Sequence, residues 1–362
     1  MPNPEKPLRR GWTTGACAAA AAKSAYNALF TGHFLDPVEI TLPRGQKVSF
    51  PLTYENIKTG IVTAGITKDA GDDPDVTHGA LIKVTVKSSG KQSGICFKAG
   101  EGVGTITKPG LPIEVGEPAI NPIPRKMISS AIKELATEIG GTTNVEVKIS
   151  VPGGDKLALK TWNPKLGIVG GISILGTTGV VIPFSCSAWI HSIHRGIDVA
   201  RATNTNHVGA STGSNSGQAI RVMRGLSETS MIDMGDFAGG MLKYLRGHPI
   251  PRITIGGGFG KLSKLAQGHL DLHSTRSQID LSWLAMQAVD LGAVATLAED
   301  IRNANSAMQV FEMASGYELP LGNAIASKAR YTALEVLSGA PVAVEVLIFD
   351  RQGLLLGSAD GW

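Results

Sequence analysis

Apolar and polar positions change period several times along the first half of the chain. Thr13-Thr14 can cap a helix over residues 15–30, built mostly of alanine, whose small side chains suit close packing in an interior. Residues 38–42 and 47–52 flank Pro43-Arg44-Gly45 and predict a hairpin. Residues 57–67 and 81–87 are rich in β-branched side chains and predict strands. Helical spacing of apolar residues predicts a helix over 124–139, stopped by Gly140-Gly141, and 145–151 predicts another strand. Strands clustered with two helices make an α+β N-terminal domain, assigned to residues 1–160.

The second half reads differently. Residues 187–202 predict a helix. Strands over 206–210, 229–233 and 252–255 then alternate with helices ending near Arg224 and over 237–245. Three helical stretches fill 277–337, and 342–349 closes as an alternating strand. This order predicts an α/β domain with a mostly parallel, Rossmann-like sheet over residues 161–362. The run 166–190 carries no charge and is long enough to span a bilayer. It also holds five glycines and Pro183, so a buried strand–turn–strand is expected and membrane association is not.

Composition narrows the classes. With 362 residues, 43% hydrophobic and 18% charged, the chain can bury a sizeable interior and fits two domains. The net charge of +4 is spread out, with no basic run longer than Arg9-Arg10, and aromatics are only 5%. Nucleic-acid binding is therefore not expected, whereas a small anionic substrate is. Cys17, Cys96 and Cys186 are odd in number and far apart, which implies neither a zinc knuckle nor a disulfide framework. A reducing cytoplasmic location is expected.

Glycine and proline concentrate in three blocks. They are Lys68-Asp-Ala-Gly-Asp-Asp-Pro-Asp-Val-Thr-His-Gly-Ala80, residues 101–125, and residues 163–179. The acidic first block is not an EF-hand, because Pro74 intrudes and Ala80 stands where a glutamate is needed. Turn chemistry explains its aspartates; the sharper reading has His78 and a carboxylate such as Asp73 handling protons. Gly213-Ser-Asn-Ser-Gly217 lies at a predicted helix start, with Asp233 about 20 residues on at the end of the next strand. That spacing suits a nucleoside, with backbone close to the ligand and the carboxylate on ribose hydroxyls; an ordinary tight βα turn is the other reading. Gly256-Gly257-Gly258 after a strand could seat a flat ring, or simply cap the strand. It is not a phosphate-binding Walker loop, since Leu262 follows Lys261. The pairs His191/His194 and His269/His273 lack a neighbouring HExxH glutamate, so no metal site is assigned. Lys108, Arg125, Lys126, Lys165 and Arg195 flank the glycine-rich loops, and a carboxylate-bearing ligand would explain several together.

These blocks, with Gly11-Trp-Thr-Thr-Gly-Ala-Cys-Ala-Ala-Ala20, resemble the CbiD family of cobalt-precorrin-5B C1-methyltransferases. The resemblance runs from about residue 8 to residue 359 and includes 255–261 and His269-Leu-Asp-Leu-His-Ser274. Trp12 stands where the family more often has tyrosine, an aromatic exchange. The resemblance implies methyl transfer from S-adenosylmethionine to C1 of a cobalt tetrapyrrole in anaerobic cobalamin (vitamin B12) biosynthesis, giving cobalt-precorrin-6A and S-adenosylhomocysteine. Cobalt would enter only as part of the substrate, an anionic corrin precursor whose carboxylates suit the positive bias. The adenosyl cofactor is expected at Gly213, Ser214, Gly217, Asp233, Gly256, Gly257 and Gly258. The tetrapyrrole is expected on the loops 69–78, 101–125 and 167–179, through Asp72, Lys108, Arg125, Thr177 and Thr178.

Attack of a ring carbon on a sulfonium methyl is an in-line displacement in which charge cancels. Holding the two reactants aligned could supply several of the roughly 7–11 kcal/mol that positioning can contribute. Two other classes stay open at this point: an NAD(P)H-dependent oxidoreductase on the same sheet, and a non-catalytic corrinoid carrier. The sequence leaves a homo-oligomer open as well.

Overall fold

The structure, a computed structural model, describes residues 7–90 and 94–362. It divides into two compact units, the first ending at Cys186 and the second spanning Ser187–Trp362.

In chain order the first unit contains β1 (Gly11–Trp12), α1 (Thr14–Thr31), β2 (Val38–Thr41), β3 (Lys47–Phe50), β4 (Tyr54–Lys58), β5 (Ile61–Thr67), β6 (Leu81–Ser88) and β7 (Ile95–Ala99). It continues with β8 (Thr105–Ile106), α2 (Pro122–Ile139), β9 (Val145–Ser150), α3 (Gly154–Ala158), β10 (Ile168–Val169) and β11 (Val180–Val181). The alanine run forms α1 as expected. Thr13 accepts the amide of Ala16 at 3.2 Å, and Gly32, in the left-handed region at φ 80°, ends the helix. Its alanines are almost all fully buried, and the helix lies against α2, β5 and β6. A larger side chain at those positions would overpack the core, at about 1–3 kcal/mol.

The main sheet of this unit has the order β4-β5-β6-β9-β7, antiparallel except for β7 beside β9. Val62, Ala64, Ile66, Ile82, Val84, Val86, Val145, Val147 and Ile149 alternate inward toward the two helices. The expected strand over 57–67 is in fact two, because Gly60 at φ 73° turns the chain between β4 and β5. Strand β7, with a half-buried rather than alternating pattern, carried no signal in the sequence.

The domain boundary placed at residue 160 differs from the division of the fold. Residues 161–186 fold back onto the first unit: β10 pairs with β8, and β11 pairs with β1. The uncharged run 166–190 is thus no single buried strand–turn–strand. It contributes two short strands with different partners and then the start of a helix. Among the described residues no helix is long and apolar enough to cross a membrane.

Then come α4 (Cys186–Ala202), β12 (His207–Ser211), α5 (Ser214–Arg224), β13 (Met231–Asp233), α6 (Ala238–Gly247), β14 (Arg252–Gly258) and α7 (Phe259–Ala266). They are followed by α8 (Leu281–Asp290), α9 (Ala295–Arg302), α10 (Ala307–Gly316), α11 (Leu321–Leu337), β15 (Ala343–Phe349) and β16 (Leu355–Ala359). Four helices, not three, occupy the region after α7. The sheet order is β13-β12-β14-β15-β16, parallel throughout except for the last pair. Helix α5 packs on one face through Ile220. A Cβ on Gly209 or Gly256 would stand 2.8 or 2.6 Å from Ile220, so glycine lets helix and sheet meet. On the other face a Cβ on Gly257 would strike Leu262 of α7 at 2.3 Å. The chain leaves β12 for β13 on one side and returns to β14 on the other. By the rule for open α/β sheets, this reversal marks the carboxyl ends of β12 and β14 as the place of a ligand crevice.

Candidate functional site

Two groups of loops carry the candidate residues, one in each unit. In the first unit the segment around Arg9 is bound into the acidic loop. Trp12 N–H donates to Asp69 O at 2.7 Å, Asp72 N–H to Arg9 O at 2.9 Å, and Arg9 N–H to Asp72 Oδ2 at 2.6 Å. The Arg9 guanidinium pairs with Asp69, and together with the Gly71 amide it holds that carboxyl down to about 2, against the effect of burial. Gly11 is required by contact, since a Cβ there would stand 2.0 Å from the Ala70 backbone. On the far side of the same segment, Thr13 N–H donates to Gly179 O at 3.0 Å, and Thr14 Oγ1 bonds Leu175 O at 3.1 Å. The loop 175–179 is therefore fixed to the start of α1. Asn121, just before α2, donates its amide to Ile174 O at 2.9 Å and reaches the same loop.

This geometry gives several expected site residues definite work. Asp73 Oδ1 accepts the amide of Phe184 at 2.8 Å and ties the acidic loop to residues beyond β11. His78 Nδ1 accepts the amide of Ala70 at 3.1 Å, which places its proton on Nε2 and presents an N–H donor outward from an exposed ring. Arg125 spends its guanidinium on Ile120 O, Pro118 O and Glu117, and so clamps the loop 117–120. Lys108 lays its stem over Gly167, where a Cβ would stand 2.5 Å from its Cγ. Thr178 Oγ1 bonds within its own loop to Val180, whereas Thr177 is exposed.

In the second unit Ser211, Gly213 and Asp233 stand at the carboxyl ends of β12 and β13, and Gly258 at that of β14. The amides of Met234 and Gly235 donate to Ser211 O, at 3.0 and 3.2 Å, which folds the turn after β13 onto β12. The glycines divide into two kinds. Gly256, Gly257 and Gly217 are small because protein atoms fill the space beside them: Ile220, Leu262, and Ser211 Oγ at 2.8 Å respectively. Gly256 and Gly257 lie inside β14 rather than in a loop after it. Gly213 has nothing within 4 Å of its missing Cβ, and Gly258 has only Phe349 O, at 4.0 Å. Both adopt negative-φ backbone open to any residue, so neither conformation nor crowding accounts for them. They leave open space at the crevice. Ser214 begins α5 and is exposed.

Three residues at this end were given no role by the sequence. Lys261 Nζ lies 2.8 Å from Asp236 Oδ1 and donates to Thr212 O at 3.2 Å. Trp189 donates from Nε1 to Asp233 O at 3.1 Å, with its ring against Gly235. None sits in a recognisable spacing pattern, because helix α4, the turn after β13 and the first turn of α7 bring them together from separate parts of the chain. Among the described residues no three His, Cys, Asp or Glu side chains gather as a metal site. His194 stacks on Tyr244 with centroids 3.9 Å apart, and His191 is held below its ordinary pKa by burial and by Arg195.

Residues 1–183 match the family model described as CbiD, and residues 271–360 match the one described as CbiD, C-terminal domain. The chain belongs to the CbiD family. A CbiD relative from Paramagnetospirillum magneticum, named cobalt-precorrin-5B C(1)-methyltransferase, is 58% identical over 98% of this chain and 99% of its own length. Proteins of the same name from a Bradyrhizobium species and from Brucella anthropi are 56% and 58% identical, over 98% and 96% of this chain and 95% of each relative. A crystal structure of cobalamin biosynthesis protein (cbiD) from Archaeoglobus fulgidus matches with 30% identity and a TM-score of 0.41, covering 74% of this chain and 83% of that one.

Proposed function

We propose that this CbiD chain methylates C1 of cobalt-precorrin-5B in cobalamin biosynthesis. The observation that carries this reading is identity above one half, across nearly the full length of both chains, with relatives named for that reaction. The methyl donor in this account is S-adenosylmethionine, and the product pair is cobalt-precorrin-6A and S-adenosylhomocysteine. In the transfer the ring carbon bonds the methyl carbon as the sulfur–methyl bond breaks. The sulfonium charge is cancelled and a neutral thioether leaves.

The cofactor is assigned to the crevice at the ends of β12, β13 and β14, in a Rossmann-like manner. Its support is the open space over Gly213 and Gly258, with Asp233 ending β13 directly beside Ser211 of β12. Ser214, at the first turn of α5, would present its backbone to the ligand. Gly217, Gly256 and Gly257 serve by close packing that shapes the crevice. The anionic tetrapyrrole is assigned to the loops of the first unit. His78 Nε2–H, Lys108 and Thr177 are the groups free to meet its carboxylates. Asp72, Asp73, Arg125 and Thr178 hold those loops in shape.

Calorimetric titration with S-adenosylhomocysteine, with NADPH in parallel, tests the assignment. Saturable binding of the thioether alone is expected, weakened about tenfold or more in Asp233→Ala through loss of a hydrogen bond to a charged group. Binding of NADPH alone would replace this reading with an oxidoreductase, and unchanged binding in the variant would remove Asp233 from the site.

A further inference from the structure

Three loops meet at the crevice of the second unit, and each contributes one polar group. Thr212 follows β12, Asp236 follows β13, and Lys261 lies in the first turn of α7 after β14. Lys261 Nζ donates to Thr212 O at 3.2 Å and stands 2.8 Å from Asp236 Oδ1. The backbone beneath them is firmly held. Thr212 N–H donates to Gly256 O at 3.0 Å, and Asp236 O accepts the amide of Leu272 at 2.8 Å.

The pair is a poor structural device. Its ion-pair contact is not aligned as a hydrogen bond, and Asp236 Oδ1, shielded from solvent, accepts none. A carboxylate oxygen in that setting has acceptor capacity to spare, and the lysine ammonium carries more donors than Thr212 uses. Side-chain exposures of 38% for Lys261 and 20% for Asp236 leave the pair reachable. A partly exposed ion pair contributes little to folding, so its place in a ligand crevice calls for another reason.

We infer that Asp236 and Lys261 read the amino-acid end of the methyl donor. S-adenosylmethionine and its thioether product end in an α-ammonium and an α-carboxylate, a pair of charges with the reverse arrangement. The ammonium takes Asp236 and the carboxylate takes Lys261. Two imperfect contacts become four charges in alternation, with charge-assisted hydrogen bonds on both sides. The adenosine part stays with Asp233 and the open space over Gly213. This inference rests on the assignment of the cofactor to this crevice, and it names which part of the ligand the crevice discriminates.

The test compares two ligands that differ only at that end. S-adenosylhomocysteine carries the amino-acid group, and 5′-methylthioadenosine lacks it. Affinities of both are measured by calorimetry on the full chain, for the wild type and for Lys261→Met and Asp236→Asn. The wild type should prefer S-adenosylhomocysteine by roughly 10- to 100-fold, as charged hydrogen bonds of this kind provide. In both variants the preference should fall toward parity while methylthioadenosine binds as before, which also shows that the crevice is intact. A preference unchanged in both variants would overturn the inference and leave the cofactor assignment standing. Equal loss of both ligands would overturn it too, in favour of a purely structural pair. Failure of the wild type to bind either ligand would remove the cofactor assignment itself, and this inference with it.

Discussion

The ammonium of Lys68 ends 2.5 Å from Asp75 Oδ2, with the lysine side chain 1% exposed. Asp75 also accepts the Thr77 amide and hydroxyl, at 2.7 and 2.6 Å, while Lys68 N–H donates to Ala80 O at 2.9 Å. One buried cation thus closes the acidic loop from inside. Asp75→Ala would leave that cation unpaired, and a loss of about 3–5 kcal/mol is expected in urea unfolding. Lys68→Met combined with Asp75→Ala should recover part of it. A double variant no more stable than Asp75→Ala would contradict the pairing. Burial pushes the Asp75 carboxyl up, but the charge of Lys68 and the hydrogen bonds from Lys68 and Thr77 outweigh it and leave it below its usual range. Its contribution is therefore present above the ordinary carboxylate pKa and is lost as the solution becomes more acidic than the lowered value.

Asp73 separates a structural from a proton-transfer role. Its contact with the Phe184 amide needs an acceptor, not a charge. Asp73→Asn keeps an acceptor and should retain methyl transfer within a few-fold, whereas Asp73→Ala should lose about tenfold. Equal loss in both variants would return Asp73 to proton handling.

Cys17 lies wholly inside α1, and burial pushes its thiol up to about 12 despite the nearby Lys68 charge. Alkylation of the native protein followed by peptide mass analysis should leave Cys17 unmodified until the protein is unfolded. Rapid native labelling of Cys17 would mean that the first unit opens readily.

Glu345, 4% exposed at its side chain, pairs with Arg224 and accepts from Thr254 Oγ1 at 2.6 Å, and His207 Nε2 lies 2.8 Å from that same hydroxyl. Arg224→Ala should cost about 3–5 kcal/mol by stranding a buried carboxylate. Burial holds the His207 imidazole below its ordinary pKa, against the pull of Glu345. That contribution is full above the unfolded value of about 6.5 and fades as pH falls through the lowered one. His207→Gln should shrink the loss of stability on acidification through that window. An unchanged pH profile would remove His207 as its source.

Much of this fold is legible in the sequence, for identifiable reasons. Helix α1 announces itself by Thr13 and its alanines, and α2 by helical spacing and Gly140. Thr59-Gly60 is a weak turn signal inside a β-branched run, so β4 and β5 read as one strand. Helix α7 is hidden because the glycines before it look like a loop, although Gly256 and Gly257 are strand residues made small by Ile220 and Leu262. The glycine-rich ends of β12 and β14 and Asp233 were visible as motifs. The pairing of Lys261 with Asp236 was not, because only the crossing of the chain between β13 and β14 brings them together. The boundary at 160 followed a change in composition, while the division into compact units after Cys186 follows the pairing of β10 with β8 and β11 with β1.

The most direct measurement is anaerobic incubation of the purified protein with cobalt-precorrin-5B and S-adenosylmethionine labelled in its methyl carbon. Product mass and carbon NMR then locate the label. The account predicts one labelled methyl at C1 of the macrocycle and an equal amount of S-adenosylhomocysteine. A macrocycle returned without label, or labelled at another carbon, would contradict it.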